Sequence, residues 1–278
     1  MTAPRHDPLA LRAAIVVALL FLLLGFLSIL WTPYPVTSLD VAAALQDPGG
    51  AHWLGTDQLG RDVLSLLMKG ILTSFVVAGV AVAIGALLGV PLGLVAALLG
   101  PYAELGVAGL GGYLLALPTF LLAVLFACLF GPSAATLMVA VGIANIAPLA
   151  FATRDAIRAA AAPDFVAAGR LAGGSGLDLA RRHMLPTILR LVLAQAVAQL
   201  ALGVLAEATL TYIGLGTQAP ATSLGLLLAD AQAFAAGRPG LLFVPGLVLL
   251  LIALTLNIIS REIRTAAGDA SGGAHGAA

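Results

Sequence analysis

The sequence predicts an all-α membrane protein with six transmembrane helices and with both termini in the cytoplasm. Its 278 residues are 61% hydrophobic and only 9% charged, whereas soluble domains are roughly 25% charged. Because 13 basic and 13 acidic side chains cannot cover the exterior of a water-soluble chain of this size, most of the surface must face lipid. The zero net charge excludes a nucleic-acid partner, since phosphate binding needs a clustered excess of Lys and Arg.

The six helices are predicted from apolar stretches that approach or exceed the about 20 residues needed to cross a bilayer. These stretches are residues 13–31, 70–103, 105–130, 134–151, 191–213 and 240–259. A turn at Gly131-Pro132-Ser133 separates the third from the fourth, because Gly and Pro are the usual residues of turns. The first stretch is longer than the apolar core of a secretory signal and is followed by no small-residue cleavage site, so we expect a retained anchor.

The distribution of basic residues sets the expected orientation, because cytoplasmic loops carry an excess of Lys and Arg. With the N-terminus inside, ten basic residues are cytoplasmic, namely Arg5, Arg12, Arg154, Arg158, Arg170, Arg181, Arg182, Arg190, Arg261 and Arg264. The external ones are Arg61, Lys69 and Arg238. The chain then divides into an N-terminal tail with the first helix (1–31), an outer loop (32–69), a five-helix domain (70–260) and a cytoplasmic tail (261–278). We expect that Gly- and Ala-rich tail to be disordered.

The inner loop, residues 154–190, holds six of the ten cytoplasmic basic residues. Asp164 is a suitable N-cap for a short helix that ends at Gly173, and a second short helix is predicted over 176–184, before Leu185-Pro186. Apolar side chains of the first helix, including Phe165, would face water unless they packed on something. They pack either on the membrane surface and the helix ends of the same subunit or on a cytoplasmic partner.

Three motifs stand at loops or helix ends. They read LGTDQLGRDVLS over 54–65, DFVAAGRLAGGS over 164–175 with HMLPT at 183–187, and EATLTYIGLG over 207–216. Together they resemble ABC importer permeases of the dipeptide, oligopeptide and nickel branch, specifically its C-type permease. The resemblance covers residues 53–264. It implies the type I importer permease fold, with the second motif as the loop that couples the permease to an ATPase.

The resemblance also implies which residues form these sites. The ATPase-coupling residues would be Phe165, Ala168, Gly169, Gly173, Leu185 and Pro186, and the outer-loop signature would be Gly55, Asp57, Gly60, Arg61 and Asp62. Two positions depart from the family pattern, since Ala167 replaces a Glu and Gly169 replaces an Ala. A Gly inside a helix costs roughly 1 kcal/mol relative to Ala, so this coupling helix is expected to be looser.

The resemblance further implies a transport subunit without catalytic residues of its own. A second, homologous permease, two ABC ATPase subunits, an extracytoplasmic substrate-binding protein and membrane lipid would be its partners. ATP and Mg²⁺ would bind the ATPases rather than this chain. The location would be the plasma (inner) membrane of a bacterium or archaeon, and the substrate a peptide or a related solute such as a nickel complex or glutathione.

Other chemistry finds little support in the sequence. The glycines of 55–62 have the spacing of a phosphate-binding loop but lack its Lys and Ser or Thr, and the four histidines show no metal-ligand spacing. Glu207 is the one acid deep in a predicted span, and we favour a structural hydrogen bond or a gate contact over substrate or proton binding. The alternative function is a self-sufficient secondary transporter or channel that uses Glu207 as its ion site.

Small residues in the second span predict close helix packing. Gly85, Gly89 and Gly93 form two overlapping Gly-x-x-x-Gly steps, which let helices approach closely in lipid. We expect a packing seam inside one subunit rather than a dimer interface. Pro91, Pro118 and Pro148 lie within or near the ends of spans and predict kinks.

Overall fold

The structure is a computed structural model that describes residues 8–160 and 185–272, all of its regular elements being helical. These elements are α1 (Pro8–Leu30), α2 (Val63–Leu98), α3 (Pro101–Ala116), α4 (Thr119–Phe130), α5 (Ala134–Ala160), α6 (Leu185–Tyr212), α7 (Leu224–Ala231) and α8 (Pro239–Gly272), with single 3-10 turns at Val41–Ala43 and Gln232–Phe234. In this part of the chain, five helices (α1, α2, α5, α6 and α8) can each span a membrane, and α3 with α4 makes a sixth span if the pair counts as one. The all-α prediction is therefore confirmed, and the six predicted spans correspond to five helices, or to six if α3 with α4 is counted as one span.

The third predicted span is not one straight helix. It bends by 77° between α3 and α4. Leu117 and Pro118 both have extended backbone there, with ψ of 113° and 130°. A residue before Pro avoids the helical region and Pro has no N–H to donate, so the break follows from local sequence. The prediction of a continuous helix over 105–130 was wrong, although Pro118 was expected to cause a kink.

Several helix ends also differ from the predicted bounds. The second span begins at Val63, not at 70, because the Asp62 side chain caps it. The fifth begins at Leu185, not at 191, so Pro186 lies in the first helical turn, where Pro is well tolerated. At the C-terminus α8 continues to Gly272, so the expected disorder of the tail is wrong as far as that residue.

Helix α2 packs closely along α5 through its three spaced glycines. A Cβ on Gly89 would lie 2.5 Å from the carbonyl oxygen of Ile146, and a Cβ on Gly85 would lie 2.5 Å from Cβ of Asn145. Gly93 likewise faces Ala150 of α5. The glycines thus form a packing seam within this subunit, as predicted, and larger side chains would force the two helices apart.

Two apolar clusters meet on α2. One joins α1, α2, α6, α7 and α8 around residues such as Leu66, Ile71 and Ile252, and the other joins α2, α4, α5 and α6 around Val77 and Leu137. Large apolar side chains remain exposed on the outer surfaces of α1, α3 and α4. Exposed apolar surface on this scale is what helices in contact with lipid or with another membrane subunit present.

Candidate functional site

The motif residues are described with respect to two ends of the helix bundle. The signature end is the end where α2 starts and α6 finishes, with residues 32–62 and 213–238. The opposite end is the end where α5 finishes and α6 starts. Phe165, Ala168, Gly169 and Gly173 lie outside the described residues, while Leu185 and Pro186 begin α6 at the opposite end.

The two glycines of the outer-loop signature shape its backbone. Gly55 and Gly60 have φ of +78° and +73°, in the left-handed region that favours Gly. A Cβ at either position would overlap a backbone carbonyl, that of Gln46 for Gly55 and that of Asp40 for Gly60. These glycines therefore bring the signature against the chain of residues 40–46, and they do not form a cradle for a ligand.

Asp57 and Arg61 tie the signature loop together and connect it to α7. Asp57 Oδ1 accepts hydrogen bonds from the amides of Leu59 and Arg61, both at 2.8 Å. Its Oδ2 accepts from Arg61 Nε at 2.6 Å. The same guanidinium reaches Asp230 of α7, with Arg61 Nη2 3.5 Å from Asp230 Oδ2. Arg61 thereby holds the loop before α2 against α7.

Asp230 lies on α7, outside the spanning helices. Partial burial raises the pKa of the Asp230 carboxyl above its ordinary value, and the nearby Arg61 guanidinium opposes that rise. A second ion pair joins Arg238 to Asp47. The signature end is therefore cross-linked by charges that came from distant parts of the sequence.

Asp62 caps the first turn of α2. Its Oδ2 accepts hydrogen bonds from the Ser65 amide at 2.8 Å and from Ser65 Oγ at 2.7 Å. Its Oδ1 lies 2.9 Å from His52 Nδ1. The side chain is buried, and each oxygen has a partner. The five signature residues thus build a folded cap over the start of α2, and their contacts in this chain are structural.

Glu207 is fully buried between α6, α2 and the segment that follows α6. Its Oε2 accepts a hydrogen bond from Ser74 Oγ of α2 at 2.6 Å, and its Oε1 accepts from Thr211 Oγ1 of α6 at 2.9 Å. Each hydroxyl in turn accepts from a backbone amide at 3.2 Å, Ser74 from Leu224 and Thr211 from Thr217. The carboxylate therefore fastens α2, α6, the turn after α6 and the start of α7 to one another.

The glycines of the third motif make this cluster possible. Gly214 has φ of +88°, which ends α6 in a tight turn. A Cβ on Gly216 would overlap the Thr211 hydroxyl, and a Cβ on Gly225 of α7 would overlap the Ala208 carbonyl. We refer to Glu207, Ser74, Thr211 and the Thr217 and Leu224 amides as the Glu207 cluster.

Sequence reasoning identified Glu207 but not its partners. Ser74 is one hydroxyl in an apolar span, and nothing local distinguishes it from a residue that bonds to its own helix. The start of α7 was a better signal, because Ser223 precedes an apolar run and its Oγ caps the Leu226 amide. No helix was predicted between residues 213 and 240, so α7 was missed.

The opposite end carries its own polar contacts. Glu104 at the start of α3 accepts a hydrogen bond from Arg158 near the end of α5. Ser260 Oγ of α8 donates to the carbonyl of Ala194 of α6 at 2.7 Å, and Arg264 Nη2 donates to Gln195 Oε1 at 3.0 Å. These contacts bring the ends of α3, α5, α6 and α8 to one side of the bundle.

Within residues 8–160 and 185–272, no group of three or more His, Cys, Asp or Glu side chains could hold a metal ion. The polar clusters that the structure does describe are hydrogen-bonded within the protein.

Comparison with known sequences gives consistent similarities. Residues 89–265 match the family described as the binding-protein-dependent transport system inner membrane component. The chain is 30% identical over 269 residues to the probable D,D-dipeptide transport system permease of Escherichia coli. The matched region covers 97% of this chain and 90% of that protein. It is 28% identical to a dipeptide transport system permease of Alkalihalophilus pseudofirmus, over 88% of this chain and 81% of that protein. It is 26% identical to the nickel transport system permease of E. coli, over 92% of each.

Comparison with solved structures concerns the fold alone. A crystal structure of an amino acid ABC transporter with histidines matches with a TM-score of 0.57 at 18% identity, over 72% of this chain and 94% of that one. An inward-facing methionine ABC transporter matches with a TM-score of 0.56 at 18% identity, over 73% and 96%. The helical arrangement is thus one found in ABC transporters.

Proposed function

The chain belongs to the binding-protein-dependent transport system inner membrane component family, and from that premise we propose that it lines a solute pathway together with a second, homologous permease. It is a permease of the peptide and nickel type of ABC importer. We propose peptides as its substrates, with a nickel complex or glutathione as the related alternative. The observation that carries this proposal is the match to peptide and nickel permeases along nearly the whole chain.

The proposed coupling site is the segment 164–186, on which two ABC ATPase subunits would act. This segment joins α5 to α6, and both helices reach the opposite end where it begins and finishes. Because α5 packs along α2 through the glycine seam, a displacement of the segment would be passed to α5, α6 and α2 together. ATP and Mg²⁺ would be held by the ATPases.

We further propose that the opposite end faces the cytoplasm, with both termini on that side. Of the nine basic residues that the structure describes, six lie toward that end, which is the bias expected of a cytoplasmic face. The signature end would then face outward and receive the substrate-binding protein. Its glycine-shaped loop and two ion pairs would keep that surface in one conformation. The membrane would be the inner membrane of a bacterium or archaeon.

The proposed role of Glu207 is to hold the outer ends of helices together. A secondary transporter that used this carboxylate as its ion site would need ions to reach it. Glu207 is instead fully buried, and both of its oxygens accept hydrogen bonds from hydroxyl groups. Of the two roles that the sequence favoured, a structural hydrogen bond or a gate contact, this geometry supports the structural hydrogen bond.

The test is ATP-dependent uptake by the assembled complex in proteoliposomes, with the coupling loop altered by Gly173→Glu. We expect the variant to lose both uptake and co-purification of the ATPases. Gly50→Glu is the matched control for co-purification of the ATPases, because Gly50 lies at the signature end, away from the coupling loop, with open space around it. If the Gly173→Glu complex kept its ATPases and its uptake, the coupling assignment would be wrong. Uptake by this chain alone without ATP would favour the secondary-transporter alternative.

A further inference from the structure

A cleft of about 450 Å³ opens between α5, α6 and α8 at the opposite end of the bundle. Its walls include Pro148, Phe151 and Asp155 of α5, Leu191 and Gln195 of α6, and Arg264 of α8. The α5 residues recur at helical spacing, so they form one continuous face of that helix. The volume falls in the range of about 300 to 1,000 Å³ that small-molecule sites occupy.

The cleft has an apolar floor and a charged rim. Pro148, Phe151 and Leu191 supply apolar surface, and the Phe151 ring is held by the Arg154 guanidinium, 5.1 Å from its centroid. Asp155 lies two helical turns beyond Pro148, or about 10 Å along the axis. The charged residue of α5 therefore lies nearer the end of that helix than Pro148 and Phe151.

The two charges on the rim have binding capacity to spare. Asp155 Oδ1 lies 2.8 Å from Arg154 Nη2 and accepts a hydrogen bond from Arg154 Nε at 2.9 Å. The Asp155 side chain is nevertheless 63% exposed. A carboxylate has about four acceptor positions, so several remain open. One N–H of Arg264 donates to Gln195, which orients the guanidinium, and a guanidinium has about five donors in all.

We propose that this cleft binds a short peptide as its zwitterion on the cytoplasmic side, which rests on the proposed function. The peptide's ammonium group pairs with Asp155, its carboxylate pairs with Arg264, and its side chains lie over Phe151 and Leu191. An extended di- or tripeptide spans roughly 7 to 11 Å, and a cleft of about 450 Å³ has the volume for a ligand of that size. A zwitterion pairs with both charged groups at once, whereas a purely anionic ligand would pair with Arg264 alone and a purely cationic one with Asp155 alone.

The test measures binding of three probes to the detergent-purified permease and ATPase complex without nucleotide or binding protein. The probes are trialanine, N-acetyl-trialanine and trialanine amide. For the wild type we expect blocking either end to weaken binding about tenfold, the effect of losing one charge-assisted hydrogen bond. Arg264→Gln should abolish the difference in affinity between trialanine and trialanine amide, but the variant should still bind trialanine more tightly than N-acetyl-trialanine. Asp155→Asn should abolish the difference in affinity between trialanine and N-acetyl-trialanine, but should still bind trialanine more tightly than its amide.

Control variants distinguish a loss of binding in the cleft from a loss of folding or a general effect of changed charge. Arg261→Gln and Asp47→Asn change charges of the same kind outside the cleft, and should leave all three affinities unchanged. Arg264→Lys and Asp155→Glu keep the charge and should restore part of the preference. Retention of the ATPases and an unchanged unfolding temperature show that each variant is folded.

Two results would overturn the inference. One is the absence of trialanine binding to the wild-type complex. The other is that blocking either terminus of the peptide weakens its affinity to the same extent in the wild type, in Arg264→Gln and in Asp155→Asn. In either case ATP-dependent peptide uptake by the wild type with its binding protein would leave the proposed function standing. Loss of that uptake, with any candidate solute, would count against the proposed function itself.

Discussion

Replacement of Glu207 by Gln is the most direct test of the Glu207 cluster. The carboxylate accepts from two hydroxyls, Ser74 at 2.6 Å and Thr211 at 2.9 Å. A Gln side chain offers one acceptor oxygen and places an NH₂ group, a donor, against the other hydroxyl. One buried hydroxyl proton is then left without an acceptor, which costs about 1 to 3 kcal/mol.

The expected result is a lower unfolding temperature of the purified protein in detergent. About 1 to 3 kcal/mol corresponds to a shift of roughly 2 to 10 °C for a chain of this size. Hydrogen exchange should locate the effect, with faster exchange at the Thr217 and Leu224 amides, which the two hydroxyls accept from. Combining Glu207→Gln with Ser74→Ala should give less than the sum of the single effects, because both remove one shared hydrogen bond.

Thr209→Ala is the matched control for this experiment. Thr209 lies two residues from Glu207 on the exposed side of α6, where its hydroxyl donates to the carbonyl of Leu205. This variant should unfold close to the wild-type temperature. If Glu207→Gln also unfolded there and left exchange at Thr217 and Leu224 unchanged, the cluster would not stabilise the signature end.

Two further predictions concern the helix seam and α7. Gly89→Ala should lower the unfolding temperature, because its Cβ would lie 2.5 Å from the Ile146 carbonyl oxygen, whereas Gly79→Ala on the same helix meets nothing within 4 Å and should be neutral or stabilising. Since burial raises the pKa of Asp230 in the folded protein, acidification from neutral pH towards that pKa should stabilise the wild type relative to Asp230→Asn. Thermal unfolding at pH 7 and at mildly acidic pH measures this, and an identical pH response in both proteins would contradict it.

Position and type of the membrane helices could be predicted from sequence, while their breaks and ends were less certain. Hydropathy identified the spans because backbone groups in lipid must bond within the helix, which makes long apolar runs helical. The start of α2 depended on whether Asp62 would cap it, and a carboxylate before an apolar run is a common but not a decisive signal. The bend at Pro118 was visible as a Pro, but its 77° angle depends on how α3 and α4 pack.

The outer signature could be recognised as a motif without its structure being predictable. Its glycines indicated tight turns, yet the reason for Gly60 is the carbonyl of Asp40, twenty positions earlier in the chain. Arg61 gave no indication of Asp230, which lies on α7 in a distant part of the sequence. Contacts between distant segments are determined by tertiary packing, so the local sequence pattern does not predict them.

By itself the sequence determined the solvent, the number of spans and the family of this protein, because these follow from average composition, hydropathy and short ordered motifs. Only the tertiary structure decided what surrounds Glu207 and which residues line the cleft beside Asp155 and Arg264. A buried carboxylate can be an ion site or a structural anchor with the same neighbours in sequence. The choice is made by hydroxyls and amides that packing brings from other helices, and at Glu207 they occupy both oxygens.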